Sequence, residues 1–157
     1  MTLHAPDLRP GGLAKAAICE TRVGKPDDLA FVVDCWTQRE LRDGDGSRSL
    51  GDLKRHVRAL LGVPDVKTHD LPPQLERLLI AHVVGDPDSI LGWTAYERGS
   101  RHAPPCVHYI YVRTSARRMG IARTLVGNVA TLEYSHTAPK GVVVPSGWTF
   151  NGERART

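Results

Sequence analysis

The sequence predicts a mixed α/β fold, a sheet with helices packed against it, from three observations. Short runs rich in β-branched and aromatic residues recur at 78–84, 90–96 and 107–112. Two longer stretches, near 26–42 and 50–62, carry apolar residues at helical spacing. The order in which they alternate, with two helices before the central strands and one after, suits neither an all-helical bundle nor an all-β sandwich.

Taken in order, Ala16, Ala17, Ile18 and Cys19 lead a first strand that runs to Val23 and stops at Gly24. Pro26 then occupies a position that a first helical turn tolerates. Leu29, Val32, Val33 and Trp36 line one helical face, with Asp27 and Asp28 in the first turn and Arg39 and Arg42 near the end, as the helix dipole favours. The run Asp43-Gly44-Asp45-Gly46-Ser47 lacks the spacing and closing Glu of a calcium loop and reads as a turn. Leu50, Leu53, Val57, Leu60 and Leu61 trace a second helix, opened by Ser49 and Asp52 at capping-box spacing and ended by Gly62 and Pro64. Leu78 to Val84 and Ile90 to Tyr96 form an antiparallel hairpin around Gly85-Asp86-Pro87-Asp88-Ser89. Val107-His108-Tyr109-Ile110-Tyr111-Val112 is a central strand, and Gly120, Ile121, Leu125, Val129 and Leu132 mark a third helix. Tyr134 to Thr137, Val142 to Val144 and Trp148 to Phe150 are short final strands.

Composition narrows the class of protein. The chain has 157 residues, of which 41% are apolar and 24% charged, enough for one hydrophobic core and outside the disordered range. No apolar run approaches the ~20 residues of a membrane span, and the first residues do not read as a secretion signal, so a cytoplasmic protein without membrane contact is expected. The three cysteines, Cys19, Cys35 and Cys106, are odd in number and widely spaced, which fits a reducing compartment and draws no metal or redox pair. His56, His69 and His82 have no metal-ligand spacing either, so no metal is expected. The net charge of +4 favours an anionic partner.

The chemistry-bearing stretch is 107–132. A strand runs into the turn Arg113-Thr114-Ser115-Ala116-Arg117-Arg118-Met119, and Gly120-Ile121-Ala122-Arg123 then opens a helix. Free backbone N–H groups at such a turn suit a phosphate or pyrophosphate, and Gly120 lets the backbone come close to it. Arg113, Arg117, Arg118 and Arg123 add positive charge. There is neither a Gly-x-x-x-x-Gly-Lys-Ser/Thr loop nor a Gly-x-Gly-x-x-Gly after a strand, which excludes the common nucleotide-binding turns.

Arg117-Arg118-Met119-Gly120-Ile121-Ala122 is similar to the Arg/Gln-x-x-Gly-x-Gly/Ala signature of the GNAT superfamily of N-acetyltransferases, and the element order over 16–132 agrees with that family. The strand 107–112, the motif and Tyr134-Ser135-His136-Thr137 look most like small GNAT-type proteins encoded by bacteriophages. The resemblance implies a GNAT-like mixed, mostly antiparallel sheet flanked by helices, with a shortened C-terminal part. Residues 1–14 would be a flexible tail and 15–157 a single acyl-CoA-binding domain. Acetyl-CoA would be the cosubstrate, its pyrophosphate held by the backbone around Arg117, Arg118, Met119, Gly120, Ile121, Ala122 and Arg123. Ile110, Tyr111 and Val112 would offer main-chain bonds to the pantetheine where strands four and five splay apart.

Only 25 residues follow residue 132, and Pro139, Gly141, Pro145 and Gly147 leave little room for the helix that carries a tyrosine acid in many members. The candidates for acid and base are therefore Glu97, His108, Tyr134 and His136, with Ser135 beside them. Tyr134 is the favoured acid and His136 the runner-up, and on a regular strand these two would share a face while Ser135 points away. His108 and the tyrosines beside it also suit a packed core, and Cys106 reads as a buried thiol.

Three functions compete. The first is acetyl transfer from acetyl-CoA to a primary amine, on a small molecule or a protein, by direct attack. The others are a GNAT-like, Mom-type modifier of DNA bases, which would make nucleic acid a partner, and a non-catalytic CoA-binding module. Pairing of two copies into a homodimer is compatible with all three.

Overall fold

The computed structural model describes residues 18–44, 46–65, 67, 70–127, 131–136 and 144–156. The expected tail, the Ala16-Ala17 opening of the first strand, His69, Val129, Thr137 and Val142-Val143 lie outside the described residues. Six strands form one open sheet in sequence order: β1 (Cys19–Gly24), β2 (Leu75–Val83), β3 (Asp86–Glu97), β4 (Cys106–Val112), β5 (Leu132–Tyr134) and β6 (Trp148–Phe150). The first four pair antiparallel, whereas β4–β5 and β5–β6 pair parallel. The sheet is therefore mixed and mostly antiparallel.

Alternation along the strands divides the apolar residues between two faces. Leu78, Ile80, Trp93 and Ala95 face one side, where α1 (Leu29–Asp43) and α2 (Leu50–Leu60) cover them with Val32, Trp36, Val57 and Leu60. Cys19, Ala81, Ile110 and Val112 face the other side, against Ile121 and Leu125 of α3 (Ile121–Val126). Trp36 is the hub of the first face. It is 0% exposed, stacks on Tyr109 at 4.9 Å and meets Trp93 at 5.9 Å between ring centres. No helix among the described residues is long and apolar enough to cross a membrane.

Local chemistry sets the helix starts. A single 3-10 turn at Pro26–Asp28 precedes α1. Asp28 there accepts the Lys25 N–H and both arms of the Arg22 guanidinium at 2.7 and 2.8 Å, which ties β1 to the helix. Ser49 caps α2 by accepting the Asp52 N–H, the pairing expected from the sequence.

Four expected boundaries are corrected. The third helix does not run to Leu132: it ends at Val126, because Gly127 at φ +71° and ψ −168° takes an extended, positive-φ conformation that only glycine adopts readily and that breaks the helix, and Leu132 starts β5. The last strand before the C-terminal segment therefore ends at Tyr134, not Thr137. In the hairpin the breaker-rich run is not a loop. The turn is Val84-Gly85 and β3 begins at Asp86, where Pro87 needs no donor and its carbonyl accepts the Arg22 guanidinium. On the other arm, β2 begins at Leu75, three residues earlier than the apolar run.

Candidate functional site

β4 has an irregularity that re-aims one side chain. Ala95 pairs with Tyr109, but its neighbour Tyr96 pairs with Val107, so His108 is the extra residue of a bulge. β5 pairs with β4 only at Cys106 and Val107, and the Ser135 N–H to Val107 carbonyl bond at 3.1 Å is the last rung between them. Among the described residues no further pairing joins the two strands. Ile110, Tyr111 and Val112 thus keep β3 on one side, through Thr94, Trp93 and Gly92, and have no strand partner on the other among the described residues.

At the far end of β4 the chain enters the arginine-rich turn. Thr114–Ala116 make a 3-10 turn whose Ala116 is buried, while Arg113, Arg117, Arg118, Met119, Gly120, Ala122 and Arg123 are exposed. Arg118 and Gly120 both take left-handed backbone, at φ +64° and +83°. Such a backbone turns successive N–H groups toward one point. A Cβ at Gly120 would meet no atom within 4 Å, so the approach to this backbone is open from outside. Ile121 packs its side chain into the core at 1% exposure, leaving only its main chain to the turn.

At the near end four side chains line up. Glu97 Oε1 lies 3.0 Å from His108 Nε2, His108 Nδ1 lies 2.8 Å from Ser135 Oγ, and Ser135 Oγ lies 2.8 Å from His136 Nδ1. His108 is 2% and Ser135 3% exposed, so this chain runs through the interior. Glu97 is held from behind by Arg77 at 3.3 Å and Arg154 at 2.8 Å, and Arg154 also binds Glu133 at 3.0 Å. The other end reaches a cavity of about 530 Å³ whose wall includes His136, His56, Glu40, Arg48 and Arg156. His136 meets the Trp36 ring edge-on at 5.8 Å and the His56 ring at 6.4 Å.

The structure thus joins three of the four candidate acid–base residues, Glu97, His108 and His136, and uses Ser135 as the link. Tyr134 is elsewhere: its half-buried ring packs on Phe150 of β6 at 5.6 Å. Because β5 ends at Tyr134, strict alternation does not extend to His136, and Ser135 faces the histidines. Cys106 is buried, and burial pushes its thiol up to about 11, leaving it protonated and unreactive at neutral pH. His82 is buried with Nδ1 2.9 Å from the Val83 carbonyl oxygen. Arg77, Glu133, Arg154, His56 and Glu40 carried no signal in the sequence, since each gains its meaning from partners far along the chain.

Burial lowers the imidazoles of His56, His108 and His136 below the ordinary histidine value of 6.5; for His108 the Glu97 carboxylate opposes this without reversing it. In Glu97 burial works upward, but bonds from His108 and Arg154 outweigh it and the carboxyl ends below its ordinary value. The unfolded chain therefore binds more protons than the folded one as pH falls. Stability from the three histidines is whole above about 6.5 and is lost as pH drops below it, and that from Glu97 is lost at more acid pH. The thermal midpoint is expected to fall steadily from pH 7 to pH 5; a midpoint flat over that range in a calorimetric scan contradicts this.

No protein-family model and no curated protein matches the sequence. Among solved structures, the chain is similar to a "possible acetyltransferase" from Clostridium difficile 630, with TM-score 0.49 and 17% identity over 80% of this chain and 84% of that one. It is also similar to ribosomal-protein-alanine N-acetyltransferase from Brucella melitensis biovar Abortus 2308, with TM-score 0.43 and 15% identity over 69% and 67% of the two chains. A third is diaminobutyrate acetyltransferase from Paenibacillus lautus in complex with its substrate and coenzyme A, with TM-score 0.39 and 22% identity over 69% of this chain. The match spans 54% of that enzyme's length.

Proposed function

We propose that the chain is a GNAT-type, acyl-CoA-dependent N-acetyltransferase that moves an acetyl group from acetyl-CoA to a primary amine by direct attack. One observation supports this reading: among the described residues β4 pairs with β5 only as far as Val107, with an exposed arginine-rich turn at one end of the remaining edge and a buried histidine chain at the other. From His108 to Val112 the strand rises about 13 Å, a separation that suits a long ligand with phosphates at one end and its reactive group at the other. The exposed turn fits the group, since its left-handed backbone is open at Gly120 and arginines surround it.

When bound, acetyl-CoA supplies an activated acyl thioester. The backbone from Arg117 to Arg123 would hold its pyrophosphate, and the free edge at Ile110 to Val112 its pantetheine. His136, on the cavity wall, would take the ammonium proton so that the amine can attack the thioester carbonyl. The C–N bond would form as the C–S bond breaks, and the departing thiolate would take up a proton to leave as CoA thiol. The acceptor amine enters the cavity between the start of α2 and residues 152–156. Three cysteines without disulfide partners fit the cytoplasm as the place of action.

Replacing Gly120 with Glu tests the turn. Any side chain at φ +83° is strained, and a carboxylate there repels phosphate. Acetyl-CoA affinity by calorimetry is expected to fall at least tenfold, the scale of one lost charge-assisted hydrogen bond of about 1.5–3 kcal/mol. Unchanged affinity would place the acyl-CoA site elsewhere.

A further inference from the structure

We infer that Glu97 fixes the tautomer of His136 through His108 and Ser135, leaving Nε2 of His136 unprotonated and ready to accept a proton. The proton count of each group sets the direction of the chain. Glu97 receives guanidinium bonds from Arg77 and Arg154, so it is a carboxylate and accepts only. His108 presents Nε2 to it at 3.0 Å, so the proton of the neutral ring sits on Nε2 and Nδ1 is left as an acceptor. Ser135 has one hydroxyl proton, and it must go to that Nδ1 at 2.8 Å. The Ser135 oxygen then accepts from His136, so the single proton of that ring sits on Nδ1.

The opposite polarity fails at its far end. Were Ser135 to donate to His136, His108 would have to donate from Nδ1 and would turn an unprotonated Nε2 on a carboxylate 3.0 Å away, two acceptors with no proton between them. The carboxylate therefore decides the direction of the whole chain. When His136 takes a proton at Nε2, its Nδ1–H already points at Ser135 and nothing has to rotate. Glu97, His108 and Ser135 are thus positioning residues, acting through His136. The catalytic use of the lone pair rests on the acetyl-transfer reading above, whereas the tautomer itself does not.

The test is ring ¹⁵N spectroscopy on the full chain labelled at histidine, at neutral pH and without acetyl-CoA. The His136 signals are assigned by their disappearance in His136→Gln. The expected result is a protonated Nδ1 and an unprotonated Nε2 for His136, with the reverse for His108. Ser135→Ala removes a single oxygen, and Glu97→Ala removes the anchor; with the fold checked by circular dichroism, either is expected to relax His136 toward a mixture of tautomers. A wild-type His136 protonated at Nε2, or a tautomer unmoved in both variants, overturns the inference. An acetylating protein with the wrong tautomer sinks this inference alone, and the expected tautomer in a protein that acetylates no amine leaves it standing while the functional reading falls.

Discussion

Replacing His136 with glutamine is expected to lower kcat for acetyl transfer about 10²–10⁴-fold, or about 2.7–5.5 kcal/mol of barrier, while acetyl-CoA affinity is retained. The two effects separate because the side chain lies on the cavity wall, whereas the arginine-rich turn is at the opposite end of β4. The comparison variant is Tyr134→Phe. Its ring packs on Phe150, and the hydroxyl has no part in the Glu97–Ser135–His136 chain, so kcat should stay within a few fold of the unmodified protein. The reverse pattern, with Tyr134→Phe crippled and His136→Gln active, would move the acid–base role to β5. The pH dependence follows from the same side chain. Burial lowers its imidazole, with Glu40 opposing and Arg48 assisting, so the acid limb of kcat/KM should have its midpoint below 6.5.

Truncating Trp36 to alanine is expected to cost about 3–5 kcal/mol of folding stability, the range for removing a buried tryptophan. Its indole is completely buried, stacks with Tyr109 at an interplanar angle of 26° and donates from Nε1 to Glu40 at 3.1 Å. Against a total of about 5–15 kcal/mol for a domain, this is at least a fifth of the whole. Urea unfolding should show a large drop in midpoint, and a cost below 1 kcal/mol would mean the aromatic hub repacks freely. Phe31 provides the contrast, since at 36% exposure its loss leaves a much smaller void. Trp36→Ala should also weaken catalysis in whatever fraction stays folded, because His136 loses the ring it leans on.

What could be read from the sequence was what is encoded locally. Leu29, Val32, Val33 and Trp36 mark one face of α1 whatever it packs against, and Ser49 caps α2 through residues three apart. The strand–turn–helix around Gly120 was legible for the same reason. Where long-range contacts decide, the local signal misled. Helical spacing continued through Val129 to Leu132, yet a positive-φ, extended Gly127 ended α3 and pairing with Trp148 of β6 drew Leu132 into the sheet. The Asp86-Pro87-Asp88-Ser89 run carries every mark of a loop, but Arg22 reaches across from β1 to the Pro87 carbonyl. In the site, Glu97, His108 and His136 were identifiable as titratable groups near strand ends. Their connection was not, because it depends on a one-residue bulge at His108 and on Ser135 facing inward.

The ion pair between Arg154 and Glu97 joins residues 57 positions apart, and the His108–Ser135 bond spans 27. A ribosome adding about 5–20 residues per second makes Glu97 roughly 3–11 s before Arg154. The β2–β3–β4 meander can close early, with the Glu97 carboxylate and the His108 imidazole already side by side. Ser135 and His136, which turn that pair into a directed proton acceptor, arrive next, and the guanidinium that balances the carboxylate comes last. The newborn chain therefore acquires its four antiparallel strands before its reactivity, and a copy halted just short of Arg154 would keep the strands while leaving Glu97 without its second arginine.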